Sequence, residues 1–443
     1  MRTLENMRVT VMGLGRFGGG LGVTQWLASR GAQVLVTDME PAEKLGASLA
    51  ALEPLTRSGQ VTLRLGEHNV SDFTTCDLVV ANAAVPTPWN NRFLRAAQAA
   101  SIEVTTEISL LMEQLPKHTR EQRTIAITGS VGKSTTTAMI AHALSTCGVD
   151  AKVGGNLGGS LLGELSTITP ATWVVLELSS AQLHWIETIT PFSPHIAVVT
   201  AFAENHLDWH GDVTHYRESK RHILRHQRRG DTAVIAKELD DWLASVQPGV
   251  HVIRPNTQDV QTEMLLPGEH NRANAAAARA ACMAAIPTLN KDQVVSALSG
   301  YRGLAHRLEF VREVNGVKFY NDSKSTTPGA TLTALAALAP SVPMQRVHLI
   351  AGGYDKKISL RDIAELSTKL AGVYAVGQTA QAIVSDSGGI AKDCGTLPNA
   401  FVEIKQRVKP GDVVLLSPGC ASWGQFENFE QRGELFKQLV EGV

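Results

Sequence analysis

The sequence is short of the features that mark most specialised chains. It has no excess of charge: 41 lysines and arginines stand against 42 aspartates and glutamates, for a net charge of −1. That removes the electrostatic case for nucleic acid or a membrane surface as partner. No apolar run approaches the roughly 20 residues that cross a bilayer. The start, MRTLENMRVTVMGLG, lacks the basic stretch, apolar stretch and cleavage site of a secretory leader. The five cysteines, Cys76, Cys147, Cys282, Cys394 and Cys420, include no C-x-x-C pair, which speaks against disulfides and a thiolate zinc site and for reduced thiols in the cytoplasm. No internal repeat is evident. What remains is a globular composition, 44% apolar and 19% charged, on 443 residues, too long for one ordinary core.

Short Val/Ile/Leu-rich runs alternate with longer helix-like stretches, the pattern of an α/β protein with largely parallel sheets. Strands are expected at Arg8–Met12, Gln33–Thr37, Leu78–Ala81, Thr124–Thr128, Trp173–Glu177, Ile196–Thr200, Thr232–Ala236, Val347–Ala351, Gly372–Val376 and Asp412–Ser417. Polar or Gly-containing breaks near Gln114–Gln122 and Ser299–Gly303 suggest three domains: 1–112, 113–301 and 302–443. The alanine-rich run Ala273–Ala285 reads as a closely packed helix.

VTVMGLGRFG puts Gly13, Gly15 and Gly18 between a strand and a helix, and VLVTD ends the next strand on Asp38. Glycines let the backbone approach a diphosphate, the helix N-terminus favours its charge, and the acid suits a ribose hydroxyl. The turn alone admits a nicotinamide cofactor, and hence an NAD-dependent oxidoreductase, or any other nucleoside diphosphate. It also admits a purely structural role. Gly15, Arg16, Asp38 and Asn82 are the candidate contacts.

TIAITGSVGKSTTTAMIAHAL reads as strand, glycine-rich turn and helix. Backbone N–H groups of Gly129, Ser130, Val131 and Gly132 suit phosphate oxygens. The Lys133 ammonium suits the β/γ-phosphates of ATP, and the hydroxyls of Ser134 and Thr135 suit Mg²⁺ and phosphate. Ile127 stands where the longer phosphate-loop motif has glycine. Magnesium needs further oxygen ligands, and Glu177 closes the strand WVVLE at the edge where α/β ligands collect. AENHLDWHG then presents Glu204, His206, Asp208 and His210. Two histidines four apart suit zinc only on a helix with a third soft ligand near, so His206 is expected beside magnesium and His210 on the surface.

These strings fall into one order: TGSVGKSTTT, GGNLG, LELSS, AENHLDWH, HYRESK, GEHNRANAAAA, HRLEF, NDSKST, GGYDKK and SPGCASWGQFENFEQRG, from Thr128 to Gly433, about two-thirds of the chain. In that order they resemble the Mur ligases, which form amide bonds at the expense of ATP. The GGYDK and SPGCASWGQFENFEQRG strings are most similar to the branch that adds D-glutamate. The resemblance implies three domains: a Rossmann-like one for the UDP substrate, a central phosphate-loop ATPase sheet, and a C-terminal Rossmann-like one. It implies UDP-N-acetylmuramoyl-L-alanine and D-glutamate as substrates, ATP with two Mg²⁺ ions, an acyl-phosphate intermediate, a cytoplasmic monomer and a role in peptidoglycan synthesis.

Residue by residue, the resemblance gives Lys133, Ser134, Glu177 and His206 to ATP and the metal. It makes Lys220 an N-carboxylated lysine, an anionic oxygen ligand in place of a repelled ammonium. Asn156 and Ser179 resemble substrate-positioning residues, and Asn271 and Asn274 resemble adenine or ribose contacts. Arg307 and Asp322 resemble residues that reach ATP, with Lys324 beside them. Thr326, Lys356, Ser422 and Phe429 fall where the D-glutamate carboxylates are held. The first domain departs from the family pattern: ANAAVPTP stands where a Ser-Pro-Gly turn is expected. Other expectations stay open: a Mur-type ligase adding a different amino acid, a folate polyglutamate synthetase, the oxidoreductase, and a nucleotide-regulated scaffold without turnover.

Overall fold

Each expected strand is present, within a residue or so of its expected ends, in a computed structural model that describes residues 4–15 and 18–442. Three sheets follow one another along the chain. The first contains β1 (Arg8–Met12), β2 (Gln33–Asp38), β3 (Val61–Leu65), β4 (Leu78–Ala81) and β5 (Glu103–Thr106) in the order β3-β2-β1-β4-β5. The second contains β6 (Thr124–Thr128), β7 (Ala151–Gly155), β8 (Trp173–Glu177), β9 (Ile196–Val199), β10 (Thr232–Ile235) and β11 (His251–Ile253) in the order β11-β10-β9-β6-β8-β7. Both are parallel throughout. The third contains β12 (Glu309–Val314), β13 (Val317–Asn321), β14 (Val347–Gly352), β15 (Gly372–Val376), β16 (Lys392–Gly395) and β17 (Val413–Leu416) in the order β12-β13-β17-β14-β15-β16. Only the β12–β13 pair in it is antiparallel.

The strands that the sequence pattern did not reveal are β3, β5, β7, β11, β12, β13 and β16, and all but β13 lie at a sheet edge. A central strand of a parallel sheet is covered on both faces and must be apolar along its length. An edge strand such as VTLRL or KDCG meets water and need not be. β13, VKFYN, is interior but alternates, and its Lys318 stands beside the edge strand β12.

The chain forms two compact parts. One runs to Asn256 and includes Asn274–Val294, so it holds the first two sheets; the other comprises Thr257–Ala273 and the chain from Val295. In the first part, Val174, Leu176, Ala197, Val199, Ala126 and their neighbours form a continuous buried core with Leu14, Leu27 and Leu111. The helix Glu269–Ala285 keeps its alanines from Ala275 to Ala278 and Ala280 to Ala281 buried. Its small side chains allow Cys282 Sγ to lie 3.8 Å from the carbonyl of Ile140 on the helix Lys133–Thr146.

The strand order places the chemistry. In the first sheet the chain reverses between β1 and β4, and Gly13 and Asn82 follow those strands. In the second, β6 is flanked by β8 and β9, so Gly129, the carboxylate of Glu177 and Thr200 share one sheet end. Crevices at such reversals are where open parallel sheets collect ligands. Leu176, fully buried next to Glu177, anchors that end. Leu176→Ala should cost about 2–5 kcal/mol, read as a lower urea midpoint for the first compact part.

Candidate active site

The loop between β6 and the helix Lys133–Thr146 is pinned from both sides. Gly129 has φ +150° and Gly132 φ +87°; a Cβ on Gly129 would collide with the hydroxyl of Thr200, and one on Gly132 with the side-chain oxygen of Asn274. Glycine is required at both positions by conformation and by space. The Ser130 hydroxyl donates to the carbonyl of Ala203 at 2.7 Å, accepts from the N–H of Ala203 at 2.9 Å and lies 2.9 Å from the Tyr216 hydroxyl. Thr200 donates to the carbonyl of Val131 at 2.6 Å. Val131 itself points outward, while Ser134 and Thr135 are half-buried in the first helical turn.

Two lysines converge on one carbonyl. Lys133 Nζ donates to Gly129 O at 2.8 Å and to Ser130 O at 3.2 Å; Lys220 Nζ donates to the same Gly129 O at 2.8 Å. Lys220 lies on the helix Val213–Arg225, is 1% exposed, and has its ammonium 4.7 Å from the centre of the Tyr216 ring. Burial, reinforced by the charge of Lys133 and opposed by Glu177, lowers its pKa from 10.5 to about 6, so at neutral pH it is largely an uncharged amine. Glu177 is 1% exposed. Its Oε1 accepts from Asn156 Nδ2 at 2.8 Å, and its Oε2 is buried with no hydrogen-bond partner among the described residues. Desolvation, then Lys220 and Lys133, lower the pKa of His206, whose backbone is left-handed at φ 53°. The structure therefore gathers Lys133, Glu177, Asn156, Lys220 and His206, which lie far apart in sequence.

A cavity of about 560 Å³ opens beside this cluster. Gly13, Gly15, Asp38 and Asn82 line one side, and Asn156, Ser179, His206 and Asp208 another. The glycine turn is shaped by protein contacts: a Cβ at Gly13 or Gly15 would come within 3.0 or 3.2 Å of Asn82. Asp38 is turned onto the turn itself, accepting from the N–H of Gly15 at 3.1 Å and of Glu40 at 2.8 Å. Asn82 accepts from the N–H of Ala84 at 2.9 Å within the divergent ANAAVPTP loop. Ser179 caps the helix Ser180–Ile189, its hydroxyl accepting from the N–H of Gln182 at 3.2 Å. Arg16 lies outside the described residues.

His210 corrects an expectation. It is buried at 2% exposure rather than on the surface, with Nε2 2.9 Å from the Ser180 hydroxyl and Nδ1 2.9 Å from His215 Nδ1. The one-turn helix Leu207–His210 folds it inward. Burial, helped by His215 and His184, lowers its pKa to about 3. Among the described residues no three His, Cys, Asp or Glu side chains form a metal cage.

The other compact part holds the remaining expected residues. Asn271 is buried and donates to the carbonyl of Pro267 at 2.6 Å. Asp322 is buried, accepting from the hydroxyls of Ser325 and Ser417 and the N–H of Leu308, and burial raises its pKa against those bonds. Arg307 and Lys324 are exposed, and Lys324 Nζ stands 5.6 Å from the Phe429 ring centre. Thr326 is half-buried and Ser422 buried. Lys357 pairs with Asp355 at 2.7 Å, whereas Lys356 Nζ lies 5.5 Å from the centre of the exposed Trp423 ring.

Three residues at these sites escaped the sequence reading. Tyr216 precedes Lys220 by four positions, the spacing that puts two side chains on one helix face, so that signal was present in HYRESK. Arg432 sits in a quoted motif, but nothing local announces its burial. Glu107 has no sequence signal: its carboxylate lines the cavity and accepts from Ser160 Oγ at 2.6 Å.

Residues 127–248 match the Mur ligase middle domain, and residues 306–420 match the Mur ligase glutamate ligase domain. The UDP-N-acetylmuramoylalanine–D-glutamate ligase of Roseiflexus sp. (strain RS-1) is 36% identical over 99% of each chain. That of Koribacter versatilis is 35% identical over 99% of this chain and 98% of its own. Among solved structures, the UDP-N-acetylmuramate-alanine ligase MurC of Thermotoga maritima superposes with a TM-score of 0.58 at 20% identity, over 99% of this chain and 100% of that one. MurF ligase of Thermotoga maritima, solved with ADP, gives 0.53 at 18% identity over 99% and 96%. At those identities the two structures attest the shared fold.

Burial, opposed by the Ser160 hydroxyl, raises the Glu107 pKa from 4.5 to about 7. The folded protein keeps this proton where the unfolded chain has released it, so between pH 4.5 and about 7 the group makes stability fall as pH rises. Glu107→Gln should flatten that slope. Melting temperatures compared at pH 5 and pH 8 should differ less in the variant than in the wild type.

Proposed function

The chain belongs to the Mur ligase family, ATP-dependent enzymes that form amide bonds, and we propose from the site which of its residues carry that chemistry. The activity is addition of D-glutamate to UDP-N-acetylmuramoyl-L-alanine in peptidoglycan synthesis, in line with the curated relatives. One observation carries the assignment of residues: the buried, unpartnered Oε2 of Glu177 at the carboxyl end of β8, next to two lysines held by the phosphate loop.

An orphaned carboxylate oxygen inside a protein is costly unless a cation or donor satisfies it. Magnesium bound with nucleotide phosphates needs only one or two protein carboxylates, so the residues present fit it. Ser134, Glu177, His206 and a carboxylated Lys220 would hold it, with two ions serving the site. When bound, magnesium supplies Lewis-acid stabilisation of charge on phosphoryl oxygens.

The chain's own groups do the rest. The backbone N–H groups of 129–132 hold the triphosphate of ATP, and Lys133 leaves Gly129 O to reach it. Asn156 orients Glu177 through their hydrogen bond. The cavity from Gly15 to His206 receives the UDP-linked substrate, with Asn82, Asp38 and Ser179 along its walls. Its terminal carboxylate attacks the γ-phosphorus and ADP leaves; the amine of D-glutamate then attacks the acyl carbon, and phosphate leaves. Lys356, Thr326, Ser422, Lys324 and Phe429 supply the cation, hydroxyl and backbone groups that suit the two carboxylates of D-glutamate. Asn274, which stands against Gly132, is assigned to the nucleotide with the loop; for Asn271, Arg307 and Asp322 that role is what the family resemblance implies.

The N-carboxylation of Lys220 is what the family resemblance implies, and the geometry supports it: the side chain is 1% exposed and aimed at the loop beside Glu177, with the carbonyl of Gly129 as acceptor. We place the enzyme in the cytoplasm, acting as a monomer; no helix among the described residues is long and apolar enough to cross a membrane.

ATP, magnesium and the UDP-muramoyl-alanine precursor, offered with a panel of D- and L-amino acids, should release phosphate with D-glutamate above all others. Preference for another amino acid overturns the specificity. Lys133→Ala should reduce ADP formation to background; near-normal turnover would reassign the loop. Lys220→Ala should lose activity and regain part of it with added short carboxylates; a wild-type rate without them removes the carbamate.

A further inference from the structure

Arg432, on the helix Phe429–Glu441, is 2% exposed and meets no carboxylate among the described residues. Its Nε donates to Ser323 Oγ at 3.0 Å, and its Nη2 donates to the carbonyls of Ser323 at 2.8 Å and Cys420 at 3.1 Å. Its Nη1 is buried without a partner among the described residues and lies against Gly353, where a Cβ would come within 3.2 Å of it. Beside it is a cavity of about 10 Å³ lined by Gly353, Ser422 and Gln425, room for about one water. Ser323 continues the chain of bonds, donating to the carbonyl of Phe429 at 2.8 Å.

Ser323, Cys420 and Gly353 follow β13, β17 and β14, three neighbouring parallel strands, at their carboxyl ends. Those loops carry Lys324 with Thr326, Ser422, and Lys356. We infer that Arg432 is the positioning residue of the amino-acid site: one guanidinium ties the first two loops together, stands against the third at Gly353, and holds an uncompensated positive charge behind them for an incoming carboxylate. The inference rests on the assignment of these loops to the amino acid.

A neutral donor would bind the same carbonyls. A buried charge with no counter-charge is unfavourable, so retaining arginine here implies that the charge itself is used. Burial lowers its pKa from 12.5 to about 10, which leaves it protonated at neutral pH. The planar fork also matters: three donors leave in fixed directions toward two loops, which an ammonium does not reproduce. Because the water-sized cavity admits no carboxylate, Arg432 acts through the loops and through its field.

The test measures phosphate release by wild type, Arg432→Gln, Arg432→Lys and Ser323→Ala, varying each substrate in turn, with a melting temperature for each protein. The wild-type panel first identifies the accepted amino acid. If that is not D-glutamate, the specificity reading fails, and the same comparison with the accepted amino acid still decides the role of Arg432. Arg432→Gln should raise the KM for the amino acid at least about tenfold, equivalent to about 1.4 kcal/mol, while the KM for ATP stays within about twofold. Arg432→Lys should recover part of the loss by restoring charge without the fork. Ser323→Ala, which removes one acceptor of Arg432 and the hydroxyl's bond to the Phe429 carbonyl but keeps the guanidinium, should shift the same KM less and in the same direction. An unchanged amino-acid KM in Arg432→Gln, or equal rises for ATP and amino acid, overturns the inference. If Arg432→Gln does not fold, unchanged amino-acid KM values in both Arg432→Lys and Ser323→Ala overturn it.

Discussion

The carbonyl of Gly129 receives two lysine side-chain nitrogens, from Lys133 and Lys220, at 2.8 Å each. Like charges brought together inside a protein repel, and only a nearby anion or loss of a proton makes the arrangement tolerable. Glu177 supplies the anion, and burial takes the proton from Lys220. Much of the central sheet's construction serves this point. β6 is placed between β8 and β9, so Gly129, Glu177 and Thr200 end side by side, and the helix Val213–Arg225 delivers Lys220 and Tyr216 beneath the loop. The loop glycines are fixed by Thr200 and Asn274 as much as by any phosphate.

The same economy recurs in the C-terminal sheet with the signs changed. There the strand ends surround a buried guanidinium that pairs with no carboxylate among the described residues, and the loops it ties carry lysine, serine and threonine side chains. The central sheet thus presents an unsatisfied carboxylate oxygen, and the C-terminal sheet an uncompensated cation. An unsatisfied anion suits a metal and its phosphates, and an uncompensated cation suits a carboxylate. The two deficits match the two classes of charged partner that an ATP-dependent amide ligase handles.

Recognition of the N-terminal part followed a different path. Its glycine fingerprint fits many diphosphate-binding proteins, and the structure shows why the fingerprint alone decides little. Gly13 and Gly15 are required by the proximity of Asn82, and Asp38 is already engaged with the turn's own N–H groups. What distinguishes this turn is its surroundings, a cavity that it lines together with Asn156 and His206.

The sequence by itself determined the central strands other than β13, because a strand covered on both faces is largely apolar, and it determined the glycine-rich loop of 129–132 between strand and helix, because contiguous residues build it. The order of the motifs from Thr128 to Gly433 likewise sufficed for the family. Tertiary structure alone decided the edge strands, whose polar faces erase the pattern, and the burial of His210, which depends on how one helical turn folds against Ser180 and His215. It alone decided that Lys220 loses water and that, among the described residues, Glu177 keeps an unmet oxygen and Arg432 has no counter-charge. Solvation and pairing belong to positions in space, and residues tens of places apart or more in the chain acquire them only when the sheets form.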